Sequence, residues 1–209
     1  MATPPRFIYF DLGNVLVNFD HHRGARQMAE VAGISEQLVW EVVFEGDLLQ
    51  EYERGAITTR EFYEAFCART QTRPDCDALL LAASDIFELN ESIVSLLVEL
   101  RDRGHRLGIL SNTNESHWNF VADGRFPIVR DCFERYALSY KMRSAKPDLA
   151  AYKIAAELVG VAPAEIFFTD DRLDNVKAAR QAGIDAVQFV GVAALREQLR
   201  IRESCDETM

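Results

Sequence analysis

The stretch FIYFDLGNVL, Phe7 to Leu16, decides how this chain is read. Four apolar residues, three of them aromatic, stop abruptly at Asp11, as a short buried strand does when it carries a carboxylate to the end of a sheet. Gly13 and Asn14 break the run before Val15 and Leu16 restore it. An acid in that place is either a turn residue or a reactive group, and the rest of the chain decides which.

Working outward, the pattern of a short buried strand recurs in Arg6 to Phe10, His105 to Leu110 (HRLGIL), Tyr136 to Tyr140, Glu165 to Thr169 (EIFFT) and Asp185 to Val190. Helical patterns fill most of the gaps. Asn90 is placed to cap a helix with Ile93, Leu96, Leu97 and Leu100 on one face and Gly104 at its end, while Asp148 to Gly160 and Leu173 to Gly183 also close on glycine. Strands alternating with helices predict an α/β fold: a Rossmann-like parallel sheet with helices on both faces. The segment 18–89 departs from the alternation. Arg23 to Gly33, Ser35 to Phe44, Asp47 to Arg54, Thr58 to Arg69 and Asp77 to Phe87 all read as short helices, and Thr58 with Glu61 makes a capping-box pattern. The expected organisation is a core of residues 1–17 and 90–209 with a helical insert over 18–89.

The charge narrows the function. A net charge of -10 opposes binding to nucleic acid or to an anionic membrane, and an anionic small molecule would need a local cation to hold it. No apolar stretch approaches the length of a membrane span, and the run at Phe7 is too short for a secretory signal. Cys67, Cys76, Cys132 and Cys205 are scattered without metal-ligand spacing, which suits reduced thiols. These features predict a cytoplasmic protein, a monomer or a small homo-oligomer.

In open parallel sheets, ligands gather beyond the carboxyl ends of the strands. Residues there are Asp11, then Ser111-Asn112-Thr113, then Lys146 in the loop after the third core strand, then Asp170-Asp171. Three converging carboxylates repel one another unless a cation intervenes, and a hard divalent ion such as Mg2+ takes oxygen ligands. Lys146 adds a compact positive charge, and Ser111 and Asn112 offer hydrogen-bond donors. Together they suit a phosphoryl group attacked by an oxygen nucleophile, for which Asp11 is the candidate.

From Phe7 to about Val190 the chain resembles the haloacid dehalogenase superfamily. Asp11 to Leu16 matches its first motif, Ser111-Asn112 its second, the lysine of Lys146-Pro147 its third, and the segment ending at Ala178-Ala179 its fourth. The resemblance implies that Asp11 is the nucleophile and that Lys146, Ser111 and Asn112 serve the substrate. It further implies that Asp11, the Gly13 carbonyl and Asp171 hold Mg2+, with Asp170 and Asn175 in support. Asn175 is expected to orient Asp171 or Lys146. The insert corresponds to the family's cap domain of the first type. The strings FDLGNVLVNFD, ERGAIT, LSNTN and FFTDDRLDN look most similar to bacterial α-D-glucose-1-phosphate phosphatases, with the phosphatase domain of soluble epoxide hydrolase a second relative.

Two departures shape the expectation. Phosphatases of this family usually carry an aspartate two residues after the nucleophile, for acid and base work, and here that place is Gly13. Proton transfer is then left to the substrate, the cap or water, and a sugar 1-phosphate, whose leaving oxygen is comparatively acidic, fits. His21 and His22 offer a replacement acid, set against the ordinary occurrence of exposed histidines at a helix start. Arg143 stands where relatives have glycine, so the loop before Lys146 is expected to be looser or to add a phosphate contact. The leading reading is a Mg2+-dependent phosphatase of small phosphorylated metabolites. The alternatives are a 2-haloacid dehalogenase, which needs neither metal nor second acid, and a non-catalytic binding protein on the same fold.

Overall fold

The structure, a computed structural model, describes residues 5–204. The first four residues and Cys205, on which the N-terminal and cysteine readings also drew, lie outside the described residues. Five strands form the main sheet: β1 (Phe7–Phe10), β4 (Leu107–Ser111), β5 (Arg135–Leu138), β6 (Ile166–Asp170) and β7 (Asp185–Gln188). Two shorter strands, β2 (Val17–Phe19) and β3 (Phe87–Leu89), form a separate antiparallel ribbon. The main sheet has the order β5-β4-β1-β6-β7, and every pairing in it is parallel.

Both faces of β1 are buried, and side-chain alternation divides its residues between two interiors. Ile8 and Phe10 pack with Leu97, Leu100, Ile109 and Val129, whereas Phe7 and Tyr9 pack with Leu110, Tyr152, Phe168 and Val176. This is why the strand reads as a continuous apolar run. Because β1 is central, flanked by β4 and β6, the residue that follows it emerges between their ends. The Asp11 N–H still donates to the Thr169 carbonyl at 2.9 Å, which ties the acid to the neighbouring strand.

Between the ribbon strands lie the helices His21–Ala32, Glu36–Val39, Leu48–Glu53, Thr59–Thr70 and Cys76–Ser84, around an apolar interior of their own that includes Met28, Val39, Leu48, Phe62, Phe66 and Leu79. The Thr58–Glu61 capping box is present in both directions. The ribbon itself escaped the sequence reading, because three-residue strands give too little alternation to register. The helix expected over Ser35 to Phe44 divides at Trp40, where Trp40–Glu45 winds as a π-helix. The one expected to reach Phe87 ends at Ser84, since Phe87 pairs with Phe19.

Asn90 precedes the helix Glu91–Asp102 but does not cap it with its side chain; its Nδ2 donates instead to the Val15 carbonyl at 2.9 Å, fastening the exit of the ribbon to its entry. Ser111 and Asp170 end their strands rather than follow them. The third core strand stops at Leu138, and Ser139–Met142 turns into a short helix. Among the described residues, no helix is long and apolar enough to cross a membrane.

Candidate active site

Lys146 is the centre of the site, buried to 4% exposure. Its ammonium has three N–H donors, and the structure supplies three acceptors: Asp11 Oδ1 at 2.7 Å, Asp170 Oδ2 at 2.6 Å and the Leu110 carbonyl at 2.8 Å. Burial disfavours the charged form, but the carboxylates of Asp11 and Asp170 outweigh it and hold the lysine pKa above its ordinary value. With every donor engaged, Lys146 acts on a ligand chiefly as a fixed charge that orients Asp11.

The loop that delivers this lysine is clamped by Asn112. Asn112 Nδ2 donates to the Lys146 carbonyl at 2.7 Å, and its Oδ1 accepts from the Lys146 N–H at 2.8 Å. Asn112, expected to serve the substrate, thus engages the lysine backbone while it also lines the cavity over Asp11. Ser111 is buried, and its hydroxyl donates to the Asn112 carbonyl at 3.2 Å. Arg143 adopts a left-handed φ of 52°, the conformation that glycine takes most easily, so the loop turns as tightly as a glycine would allow. Its exposed side chain is not among those lining the cavity over Asp11.

Asp170 and Asp171 differ in what surrounds them. Asp170 is fully buried and receives Lys146, both contacts from Asn175 Nδ2 at 3.0 Å, and the Arg172 N–H at 2.8 Å. Asn175 therefore steadies Asp170, and through it Lys146, while Asp171 is not its partner. Asp171 lines the cavity and accepts from Asn14 Nδ2 at 3.0 Å. Asn14 holds a φ of 55° to do this, and the sequence reading counted it as a motif residue without giving it a role.

Asp11 is 7% exposed and takes both its hydrogen bonds, from Lys146 and from the Leu12 N–H at 2.7 Å, on Oδ1. Its Oδ2 has no such partner among the described residues. Burial raises the Asp11 carboxyl above the usual carboxylate range, with the Lys146 ammonium pulling it back. One carboxylate oxygen from each of Asp11, Asp170 and Asp171 lies within 4.8 Å of the others. Three acids against one ammonium leave the cluster negative, and its donors are all hard oxygens, a set that fits a divalent cation of the Mg2+ type.

Above these groups is a cavity of about 460 Å³, lined by Asp11, Gly13, Asn14, Asn112, Lys146 and Asp171 from the sheet side. From the opposite side come Phe19, His21, Gln50, Glu53 and Arg54. Glu53 was not singled out from the sequence, although it begins the ERGAIT string. His21 has a buried Nδ1 with no hydrogen-bond partner, and burial lowers its pKa. A carboxylate nucleophile beside a buried ammonium can accept a phosphoryl group once a cation offsets the remaining carboxylates around the cavity.

The family described as haloacid dehalogenase-like hydrolase matches residues 6–183. A HAD-family enzyme of Bacteroides thetaiotaomicron, solved in complex with magnesium and inorganic phosphate, is 30% identical with a TM-score of 0.78, covering 87% of this chain and 92% of that one. The drimenol cyclase drtB of Aspergillus calidoustus is 26% identical over 93% of this chain, which spans 36% of that protein's length. The sesquiterpene phosphatase astK of Aspergillus oryzae is 22% identical over 98% of this chain and 100% of its own.

Proposed function

This chain belongs to the haloacid dehalogenase-like hydrolase family, and from that premise we propose that it is a Mg2+-dependent phosphatase of small phosphorylated metabolites, sugar 1-phosphates among them. The observation that carries the reading is Lys146 held between Asp11 and Asp170 while Asp171 opens to the same cavity. In the step that follows, Asp11 attacks phosphorus and the bond to the leaving oxygen breaks. Water then attacks the aspartyl-phosphate and frees inorganic phosphate.

The residues suited to hold the cation are Asp11 and Asp171 through their carboxylates and Gly13 through its carbonyl. Bound there, Mg2+ would neutralise the charge of the transferring group. Asp170 is less suited, because both of its oxygens already accept hydrogen bonds. Lys146 keeps Asp11 oriented, and Asn112 and Asn175 keep Lys146 and Asp170 in place.

We assign residues 18–89 the role of a cap that closes the cavity and selects the leaving group. Gln50, Glu53, Arg54 and His21 make its face polar, which suits a hydroxylated leaving group. The phosphatase relative named for a sesquiterpene makes an isoprenyl phosphate the comparison substrate. A phosphate-release screen with and without Mg2+, over sugar 1-phosphates, alkyl monoesters and an isoprenyl phosphate, tests the reading with Asp11→Asn as control. Release by the wild type with Mg2+, preference for sugar 1-phosphates and silence of the variant are expected. Chloride release from a 2-haloacid without Mg2+, with no phosphate released from any ester, would replace the reading with a dehalogenase.

A further inference from the structure

Resting on the phosphatase reading, one question stays open: which group moves the proton that Gly13 cannot. The candidates are the titratable residues lining the cavity. Lys146, Asp11 and Asp171 belong to the nucleophile and cation cluster. Arg54 is paired with Asp148 at 2.8 Å and Arg172 with Asp174 at 2.7 Å, and a guanidinium does not give up its proton. His21 is driven toward the neutral imidazole by burial, which makes it a poor donor. Glu53 is left.

Glu53 is held over the strand ends by its own backbone and its neighbours. Tyr52 Oη lies 2.7 Å from Ser116 Oγ and accepts from the Ser116 N–H at 3.1 Å. Ser139 Oγ donates to the Glu53 carbonyl at 2.6 Å, and Arg54 reaches Asp148. Gly55 lies so close to the core that a Cβ on it would stand 2.1 Å from the Tyr140 carbonyl oxygen. Four consecutive residues therefore fasten this end of the helix Leu48–Glu53 to the sheet domain. None of these contacts uses the Glu53 carboxyl, which has no hydrogen-bond or ion-pair partner among the described residues and faces the cavity that Asp11 lines. Burial alone pushes that carboxyl up to about 7, so both of its forms are populated near neutral pH.

We propose that Glu53 is the catalytic acid and base of the hydrolysis. As the bond from Asp11 to phosphorus forms and the ester P–O bond breaks, the Glu53 proton passes to the departing oxygen, which leaves as the neutral alcohol. When water attacks the aspartyl-phosphate, the Glu53 carboxylate takes its proton, the bond between Asp11 and phosphorus breaks, and phosphate leaves with Glu53 protonated again.

The test compares Glu53→Gln with the wild-type full chain in Mg2+, on glucose 1-phosphate and on p-nitrophenyl phosphate, whose leaving group needs no proton. Turnover of glucose 1-phosphate should fall about 10²–10⁴-fold. With p-nitrophenyl phosphate, the variant should release a burst of about one equivalent of p-nitrophenol and then slow, because the first step survives and the second lacks its base. Glu53→Asp, which keeps a carboxyl in place, should recover part of the rate that Glu53→Gln loses. Equal losses on both substrates without a burst would overturn the proposal, as would the burst appearing in His21→Asn and not in Glu53→Gln. A wild type that hydrolyses neither ester overturns the phosphatase reading and this proposal with it. An active wild type matched by Glu53→Gln overturns the proposal alone.

Discussion

The ring of Phe19 stands where a side chain on Gly13 would have to go: a Cβ built on Gly13 lies 2.8 Å from Phe19 Cε1. Phe19 belongs to the ribbon and packs against His21 at 4.8 Å and Phe87 at 6.4 Å between ring centroids. An aspartate at position 13 therefore needs the Phe19 ring, which is 36% exposed, to swing aside.

Because that ring is partly exposed, Gly13→Asp should destabilise the chain by about 1 kcal/mol, the low end of the cost of overpacking. Gly13→Asp combined with Phe19→Ala should recover part of that loss relative to Phe19→Ala alone. Thermal denaturation of the four chains closes the cycle. Equal penalties for the aspartate in both backgrounds would show that the ring does not oppose it.

Asp170 and Asp171 should separate by experiment. Asp171→Asn should raise the Mg2+ concentration needed for half-maximal activity by about 10–100-fold while leaving the melting temperature close to that of the wild type. Asp170→Asn should lower the rate at saturating Mg2+ and leave the Mg2+ requirement nearly unchanged, because its oxygens serve Lys146 and Asn175. A Mg2+ titration of each variant checks the assignment, and the reverse pattern would exchange the two roles.

Lys146→Met should leave two buried carboxylates facing each other without a cation. A loss of roughly 3–5 kcal/mol is expected in metal-free buffer at pH 8, the cost of breaking a buried pair. The loss should shrink at pH 5, where protonation can relieve the repulsion. Urea denaturation at the two pH values measures both, and a pH-independent loss would point to packing instead.

His117 supplies a pH dependence of the fold. It is 7% exposed, its Nε2 lies 3.2 Å from the Ala83 carbonyl, and burial lowers its pKa from 6.5 to about 4. Between those values the unfolded chain binds a proton that the folded chain does not. Its contribution is therefore fully present above pH 6.5 and is lost as pH falls toward 4, by on the order of 3 kcal/mol. His117→Asn should flatten that part of the stability profile relative to the wild type. Parallel profiles from pH 4 to 7 would count against the assignment.

The parallel sheet was legible because its three central strands, β1, β4 and β6, are buried on both faces and so declare themselves as apolar runs ending at a polar residue, while the edge strands β5 and β7 are only partly buried. Phe7–Phe10 and Ile166–Asp170 are found within a residue or two of their expected places. Asp11, Asp170 and Asp171 were legible for the same reason, since sheet topology brings strand ends together, whereas Lys146, in a loop beyond β5, was legible from the Lys146-Pro147 motif. Asn14 and Glu53 were not. Asn14 acquires its partner Asp171 across 157 positions of sequence, and Glu53 reaches the cavity only through the folding of the helical segment. The clamp that Asn112 puts on the Lys146 backbone was not legible either, because an amide can face a ligand or a backbone and residue type does not say which.

What the sequence determined by itself was the fold class and the acids at the strand ends, with the motif match adding the lysine, because apolar runs and the polar residues that close them are local features. Tertiary structure decided how those groups are used. It consumed all three donors of Lys146, turned Asn112 and Asn175 into supports, distinguished a buried Asp170 from an open Asp171, and set Glu53 over the cavity where Phe19 fills the space beside Gly13. Hydrogen-bond partners and burial depend on where distant segments meet, and no local pattern in the chain records that.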